Sequence, residues 1–217
     1  MINKSRRHLL KLSAFICLIG STIAGCRING LLRIPTPAEV KGPFYPLEDQ
    51  TDKDSDLTKI DGQKGVAKGQ HIIVLGHITT IDNNPITGAS IEIWQANARG
   101  RYNHPNDPSP QPVDLNFQGW AVISSEENGS FRFKTVMPGA YPASESWIRP
   151  PHIHFKISKP GYATLITQMY FPDEQLNKTD LLLSHKNMLE RPLMIAKAIS
   201  NEEEMAVYGY NIVLAEI

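Results

Sequence analysis

Residues 82–96, DNNPITGASIEIWQA, join a turn to a strand, and their reading decides the fold. Asp82-Asn83-Asn84-Pro85 is turn chemistry: Asp and Asn side chains hydrogen-bond the local backbone and tolerate a left-handed conformation, while Pro has no N–H to give to a ladder. In the run that follows, Ala89, Ile91 and Ile93 point one way and Ser90, Glu92 and Trp94 the other, because strand side chains alternate with a period of two. The same pattern recurs along the chain. Residues 71–78 (HIIVLGHI) form a β-branched run, and Glu126-Glu127-Asn128-Gly129 reads as a hairpin turn into residues 130–136 (SFRFKTV), where Phe131, Phe133 and Thr135 share a face. Residues 152–158 (HIHFKIS), 163–171 (ATLITQMYF) and 208–216 (YGYNIVLAE) supply further strands. Short strands between Gly, Pro and Asn turns predict an all-β protein, an antiparallel β-sandwich with long loops and little helix, one short helix falling near residues 180–189.

The N-terminus reads differently. Lys4, Arg6, Arg7 and Lys11 precede an apolar run, residues 12–23, that is too short for a membrane span and suits the core of a signal peptide. It ends in Ile23-Ala24-Gly25-Cys26, which looks like a bacterial lipobox with Cys26 as the lipidated first residue of the mature chain. Residues 5–11 (SRRHLLK) resemble a twin-arginine export signal. The expected organisation is therefore a leader over residues 1–25, a tether over 26–37 and one folded domain over 38–217. The protein is expected to be exported and held by its lipid to a bacterial membrane, facing the periplasm or the exterior. Cys17 would leave with the leader, so a mature chain with Cys26 alone forms no internal disulfide and depends on its hydrophobic core. Lys plus Arg and Asp plus Glu both total 22, the net charge is zero, and no basic stripe interleaves with aromatics, which disfavours nucleic-acid binding. The polar, turn-rich residues 48–68 read as a surface loop.

The chemistry concentrates in residues 149–155 (RPPHIHF) and in two tyrosines, Tyr102 and Tyr141. His152-Ile153-His154 on a strand puts both imidazoles on one face, an arrangement that serves as a metal grip or as a structural pair. A tyrosine has a free pKa of about 10, so it becomes a ligand at neutral pH only beside a strongly charged cation. Imidazoles combined with phenolates make a harder site than a thiolate one and point to trivalent iron. No phosphate-binding glycine loop, Ser-His-Asp order or Cys-His nucleophile signature is present.

The stretches TPAEVKGPFYP (36–46), PITGASIEIWQANARGRYNH (85–104), PVDLNFQGWAVISSEENGSFRFKTVMPGAYP (112–142), RPPHIHFKIS (149–158) and LITQMYFP (165–172) resemble the intradiol ring-cleavage dioxygenase family. Within it they are most similar to the iron-bearing subunit of the protocatechuate 3,4 type. The resemblance runs from about residue 36 nearly to the C-terminus. It implies a transthyretin-like sandwich and an Fe(III) centre ligated by Tyr102, Tyr141, His152 and His154. The substrates implied are a protocatechuate-like catechol and O2, and the product a muconate-type dicarboxylate. By the same resemblance Tyr141 is the ligand that yields to substrate while Tyr102 stays. Arg149 stabilises charge on the ring, and Gln168 orients the iron-bound hydroxide or the substrate. Relatives assemble as oligomers, and the same is expected here.

Lys41 departs from the acidic residue common before GPFYP, and Asn83 from the usual Gly or Ser, which bears on loops and substrate rather than on the ligand set. His71, His77 and His185 lack partners in the sequence pattern, His104 reads as solvated or as lying behind the ligands, and Trp94, Trp120 and Trp147 read as core or pocket wall. Two rival readings are a non-catalytic transthyretin-like binding module and a zinc or copper hydrolase at the histidine pair. The intact set of Tyr102, Tyr141, His152, His154 and Arg149 argues against both.

Overall fold

The computed structural model describes residues 33–217. The expected leader and Cys26 lie outside the described residues. In chain order the strands are β1 (His71–Thr79), β2 (Ser90–Trp94), β3 (Trp120–Ser124), β4 (Ser130–Val136), β5 (Tyr141–Ser144), β6 (Trp147–Arg149), β7 (His152–Ser158), β8 (Leu165–Tyr170), β9 (Lys197–Glu202), β10 (Met205–Gly209) and β11 (Ile212–Val213). One sheet has the order β3-β2-β7-β8, and a second is built on β1 with β4, β9, β10 and β11; β5 and β6 form a separate hairpin.

Period-two patterning is what closes the core. In β2 the buried face is Ile91 and Ile93, in β7 it is Ile153, Phe155 and Ile157, and in β4 it is Phe131, Phe133 and Thr135. Phe155 meets Phe131 and Phe133 edge-on at 6.2 and 6.0 Å between ring centroids and Tyr210 at 5.3 Å, so one aromatic ring joins the two layers. Each such side chain, fully removed from water, contributes about 1.5–3 kcal/mol. With its inner face spent on the core, β7 presents His152 and His154 on the opposite face, where they sit beside Trp94, Gln168 and Tyr170 of the neighbouring strands.

Several expectations change in three dimensions. The turn at residues 126–129 is closed by Glu126 N–H to the Ser130 carbonyl at 2.8 Å, yet it joins no hairpin. β3 pairs with β2 and β4 with β1, so this turn carries the chain from one sheet to the other. A local turn signal fixes the reversal and not the partner. β1 pairs with β10 and β11 in parallel, a mixture that crossover connections permit within an otherwise antiparallel set. The helix near residues 180–189 shrinks to α1 (Leu181–Ser184), capped by Asp180, with 3-10 turns at Gln175–Lys178 and Arg191–Met194. Asn83 takes φ 68°, which Asn tolerates.

Residues 48–68 form no strand but are not a detached loop: Leu57 is fully buried and its N–H reaches the Lys134 carbonyl at 2.9 Å. At the other end, Thr36 and Pro37 of the expected tether are docked. Thr36 N–H donates to Val213 O at 3.0 Å, and Thr167 Oγ1 donates to Pro37 O at 2.7 Å.

Candidate metal centre and active site

The site is assembled on the outer face of β7. His154 lies opposite Trp94 on one side and Gln168 on the other, and His152 lies opposite Tyr170. The Trp94 indole stacks on the His154 ring at 4.8 Å and 10°, fixing its plane. Pro150 and Pro151 end the β5–β6 hairpin because neither has an N–H for a ladder, and β7 starts at His152. The Pro150 carbonyl lies 2.7 Å from His152 Nδ1, so that nitrogen carries the proton and Nε2 keeps a lone pair. His152 and His154 have centroids 4.9 Å apart.

The tyrosines arrive on two loops that are fastened to each other. Asn97 Oδ1 accepts from the N–H groups of Arg99 and Arg101, and Asp107 Oδ2 accepts from Tyr102 N–H at 2.7 Å, which shapes the loop around Tyr102. Gly139 N–H donates to Asn97 O at 2.9 Å, tying that loop to the one that carries Tyr141. Gly100, at φ 73°, makes the approach possible: a Cβ there would lie 2.3 Å from the Ala140 carbonyl oxygen. Tyr102 and Tyr141 thereby meet at 5.6 Å between centroids, Tyr102 and His154 at 6.2 Å, and Tyr141 and His152 at 5.6 Å. The GPFYP stretch covers the cluster, with Phe44 against Tyr102 at 4.7 Å. Gly42 leaves room at the His154 ring, since a Cβ on it would come within 3.2 Å of Cε1.

Arg149 sits across the β5–β6 ladder from Tyr141 and is buried. Its Nε donates to Asp180 Oδ2 at 2.7 Å, and its Nη2 to Gln168 Oε1 at 2.7 Å and to Tyr170 Oη at 3.0 Å. Gln168 is held in turn through Nε2 to the Val40 carbonyl at 3.0 Å. Burial opposes the guanidinium charge, but Tyr170, Tyr141 and Asp180 outweigh it and its pKa is raised, so Arg149 is a permanent fixed cation.

Chemically, the cluster is a dry set of ligand-type atoms. Tyr102 Oη, His152 Nε2 and His154 Nδ1 are buried with no hydrogen-bond partner among the described residues. Native proteins rarely leave such atoms unpaired, and a cation is one partner that would satisfy them. Burial lowers both imidazoles, His154 to about 3 and His152 well below its usual value, and the Arg149 charge acts in the same direction. Both are therefore neutral and able to donate a lone pair at pH 7. Burial also raises the phenols, Tyr102 well above its ordinary value with Tyr141 adding to the effect, so ionisation of either requires a compensating positive charge. Among the described residues no group of three His, Cys, Asp or Glu is placed to hold a metal, so a centre here must draw on the tyrosines. That disfavours the zinc or copper hydrolase reading, whose usual ligand sets are His, Cys and carboxylates.

The residues singled out from sequence thus come together: Tyr102, Tyr141, His152 and His154 in one cluster, with Arg149 and Gln168 beside it. His104, read as solvated or as lying behind the ligands, is buried, 5.7 Å from Phe44, because the Asp107 turn folds its loop inward. His71, without a partner in the sequence pattern, has one in the Ala67 carbonyl at 2.9 Å. Sequence reasoning missed Asp180 and Tyr170. Asp180 carries a local signal as the cap of α1, with Leu183 N–H donating to its Oδ1 at 2.9 Å, but nothing local announces its ion pair with Arg149, 31 residues away.

Comparison with known proteins agrees with this geometry. Residues 40–216 match the family described as Dioxygenase. The chain is 36% identical over 173 residues to the protocatechuate 3,4-dioxygenase beta chain of Burkholderia cepacia, covering 77% of this chain and 73% of that one. It is 33% identical over 137 residues to the 6-chlorohydroxyquinol 1,2-dioxygenase of Cupriavidus pinatubonensis, covering 57% of this chain and 48% of that longer protein. In three dimensions it resembles the dioxygenase domain of a dioxygenase carbohydrate-binding protein fusion from Streptomyces sp. SirexAA-E. That match has a TM-score of 0.64 and 26% identity, with 85% of this chain and all of that one covered. The fold and the extended sequence match reach the same conclusion: the chain belongs to the intradiol ring-cleavage dioxygenases, enzymes rather than passive transthyretin-like modules.

Proposed function

We propose that this protein is an Fe(III)-dependent intradiol dioxygenase that opens a catechol-type ring between its two hydroxyls with O2, and that Tyr102, Tyr141, His152 and His154 hold the iron. The observation that carries the reading is the convergence of four ligand-type side chains, with Tyr102–Tyr141, Tyr102–His154, Tyr141–His152 and His152–His154 ring centroids 4.9–6.2 Å apart and His152 Nε2 buried without a partner among the described residues. A ferric ion bound there supplies the positive charge that stabilises phenolates at neutral pH and prepares a chelated catechol for reaction with O2.

The remaining work falls to the side chains. Tyr141 lines the cavity in front of the cluster and is the phenolate positioned to accept a catechol proton at Oη, whereas Tyr102 is enclosed and remains a ligand. Taking up one catechol proton at Tyr141 Oη as the catechol ionises limits the net charge that builds up in a dry pocket. Arg149, on the same wall, offers a cation to charge that develops on the ring, and being already oriented it needs no reorganisation as the reaction proceeds. Gln168 holds Arg149 Nη2. Phe44 and Trp147 exclude water from the ring face.

The test is iron content together with the visible spectrum of the purified protein and the identity of the product. Stoichiometric iron, visible absorption from tyrosinate charge transfer and a muconate-type dicarboxylate containing both atoms of O2 are expected. Tyr102→Phe and His154→Ala should lose metal and colour, and His104→Gln should keep both. A colourless protein with stoichiometric zinc, or a semialdehyde product from cleavage outside the diol, overturns the proposal. We also propose that the mature chain is exported and begins at an acylated Cys26, supported by the twin-arginine-like and lipobox residues. Mass spectrometry of the native N-terminus decides this, an unmodified chain retaining residues 1–25 being the contrary result.

A further inference from the structure

The cavity in front of Tyr141 has a volume of about 440 Å³, within the usual range of about 300–1,000 Å³ for small-molecule sites and larger than a bare dihydroxybenzene needs. A substituted ring is therefore the natural occupant, and the wall says what kind of substituent. Most of it is apolar, with Val40, Pro108, Pro110, Pro142, Trp147 and Leu182 contributing side chains from four separate segments. Among the described residues two charged ones line it, Asp107 and Arg149.

Neither charge suits an anionic substituent. Arg149 is already charge-paired with Asp180, its Nε and Nη2 are committed to Asp180, Gln168 and Tyr170, and the remaining Nη1 is the edge left for charge on the reacting ring itself rather than for a substituent. Asp107 is a buried carboxylate that accepts Tyr102 N–H and Ser109 N–H, and Arg101 Nη1 is 3.7 Å from it. A carboxylate on the ring would give up its hydration for apolar side chains, meet a second carboxylate and find no cation among the described lining residues other than Arg149, which is already charge-paired with Asp180 and serves the reacting ring. Burying a charge on those terms is strongly unfavourable.

We infer that the site selects neutral catechols bearing an apolar or ether-type substituent and discriminates against ring carboxylates, protocatechuate included. The inference rests on the ring-cleavage reading above and narrows it. It also separates this chain from the relative of highest identity named here, whose own name specifies a carboxylated catechol.

The iron-loaded protein should be assayed for O2 uptake with 4-methylcatechol, 4-methoxycatechol, protocatechuate and protocatechuate methyl ester. The last two differ essentially in charge and bulk at one position. We expect kcat/KM for the ester and for 4-methylcatechol to exceed that for protocatechuate by about 100-fold or more, the scale on which sites reject a group whose polar needs they leave unmet. Anaerobic titration calorimetry should show the same order of binding, giving a readout independent of turnover. Leu182→Arg, which places an uncommitted cation on the wall, should narrow the ratio of ester to acid at least tenfold. Protocatechuate used or bound as well as its methyl ester overturns the inference while leaving the ring-cleavage reading intact. Failure to cleave any of the four catechols overturns both.

Discussion

Replacing Asp180 tests whether Arg149 is held in place from behind. Asp180 is fully buried and performs three tasks at once: it pairs with Arg149 Nε at 2.7 Å, accepts Tyr170 Oη–H at 3.2 Å and caps α1 through Leu183 N–H at 2.9 Å. Asp180→Ala removes all three and leaves the Arg149 charge uncompensated in the interior, which costs about 3–5 kcal/mol for the broken pair and about 1 kcal/mol for the cap. Against a total stability of about 5–15 kcal/mol, that variant sits at the edge of folding. Asp180→Asn is the more informative change. Its amide oxygen can still cap α1, and what is lost is the ion pair that compensates Arg149 in the interior, a loss of about 3–5 kcal/mol on the scale of broken buried pairs. For a domain of this size that corresponds to a fall in Tm of about 6–20 °C, measured by thermal unfolding of the metal-loaded protein. With Oδ2 replaced by an amide that donates rather than accepts, the guanidinium should turn from its place between Asp180 and Gln168. We then expect kcat to fall about 10- to 100-fold, the range for displacements of about an ångström, while iron content and KM stay near normal. An Asp180→Asn protein with unchanged kcat and unchanged Tm would refute the claim that Asp180 positions Arg149. A loss of iron would show that the pair supports the ligand cluster itself.

Gly100→Ala should prevent the two tyrosine loops from meeting, because the new Cβ would fall 2.3 Å from Ala140 O at a residue with φ 73°. The expected result is a destabilised protein with reduced iron stoichiometry and little visible absorption, measured by metal analysis and spectroscopy. The metal-free protein should lose stability in acid. His152 and His154 have lowered pKa values when folded, so the unfolded chain binds more protons, and stability begins to fall as pH drops below the ordinary value of 6.5 and continues falling toward the His154 value of about 3. Urea unfolding between pH 7.5 and 5 should show this decline, and His154→Phe should make it shallower; a steeper dependence in that variant would contradict the assignment.

Much of this protein was legible in its sequence because the deciding information is local. Alternation in residues 89–93 and 130–136 specified which side chains enter the core, since a strand has only two faces. The His152-Ile153-His154 spacing placed both imidazoles on one of them. Arg149-Pro150-Pro151 marked a strand end beside that pair, as the prolines cannot continue a ladder. The extended match to the ring-cleavage family then supplied roles for Tyr102, Tyr141, Arg149 and Gln168 that residue types alone do not carry.

Other properties depend on which segments the fold brings together, and no local pattern encodes that. The Asn128-Gly129 turn is as clear a reversal as any in the chain, but whether its strands pair or part between sheets is settled by which partners bury their apolar faces best. His104 reads from its loop as either open to water or behind the ligands, and only the Asp107 turn, which folds it under Phe44, decides for the buried alternative. Asp180 and Tyr170 become partners of Arg149 only because β8 lies beside β7 and the chain returns through α1. The pocket's character is tertiary in the same way. Its wall comes from four segments distant in sequence, and the charge of Arg149 is balanced from behind by Asp180, a residue that its own neighbourhood in the chain does not reveal. The sequence by itself determined strands β1, β2, β4, β7 and β8, their inward faces and the kinds of ligand atom available. Only the tertiary structure decided which charges are free to meet a substrate, because neutralisation depends on distance through space.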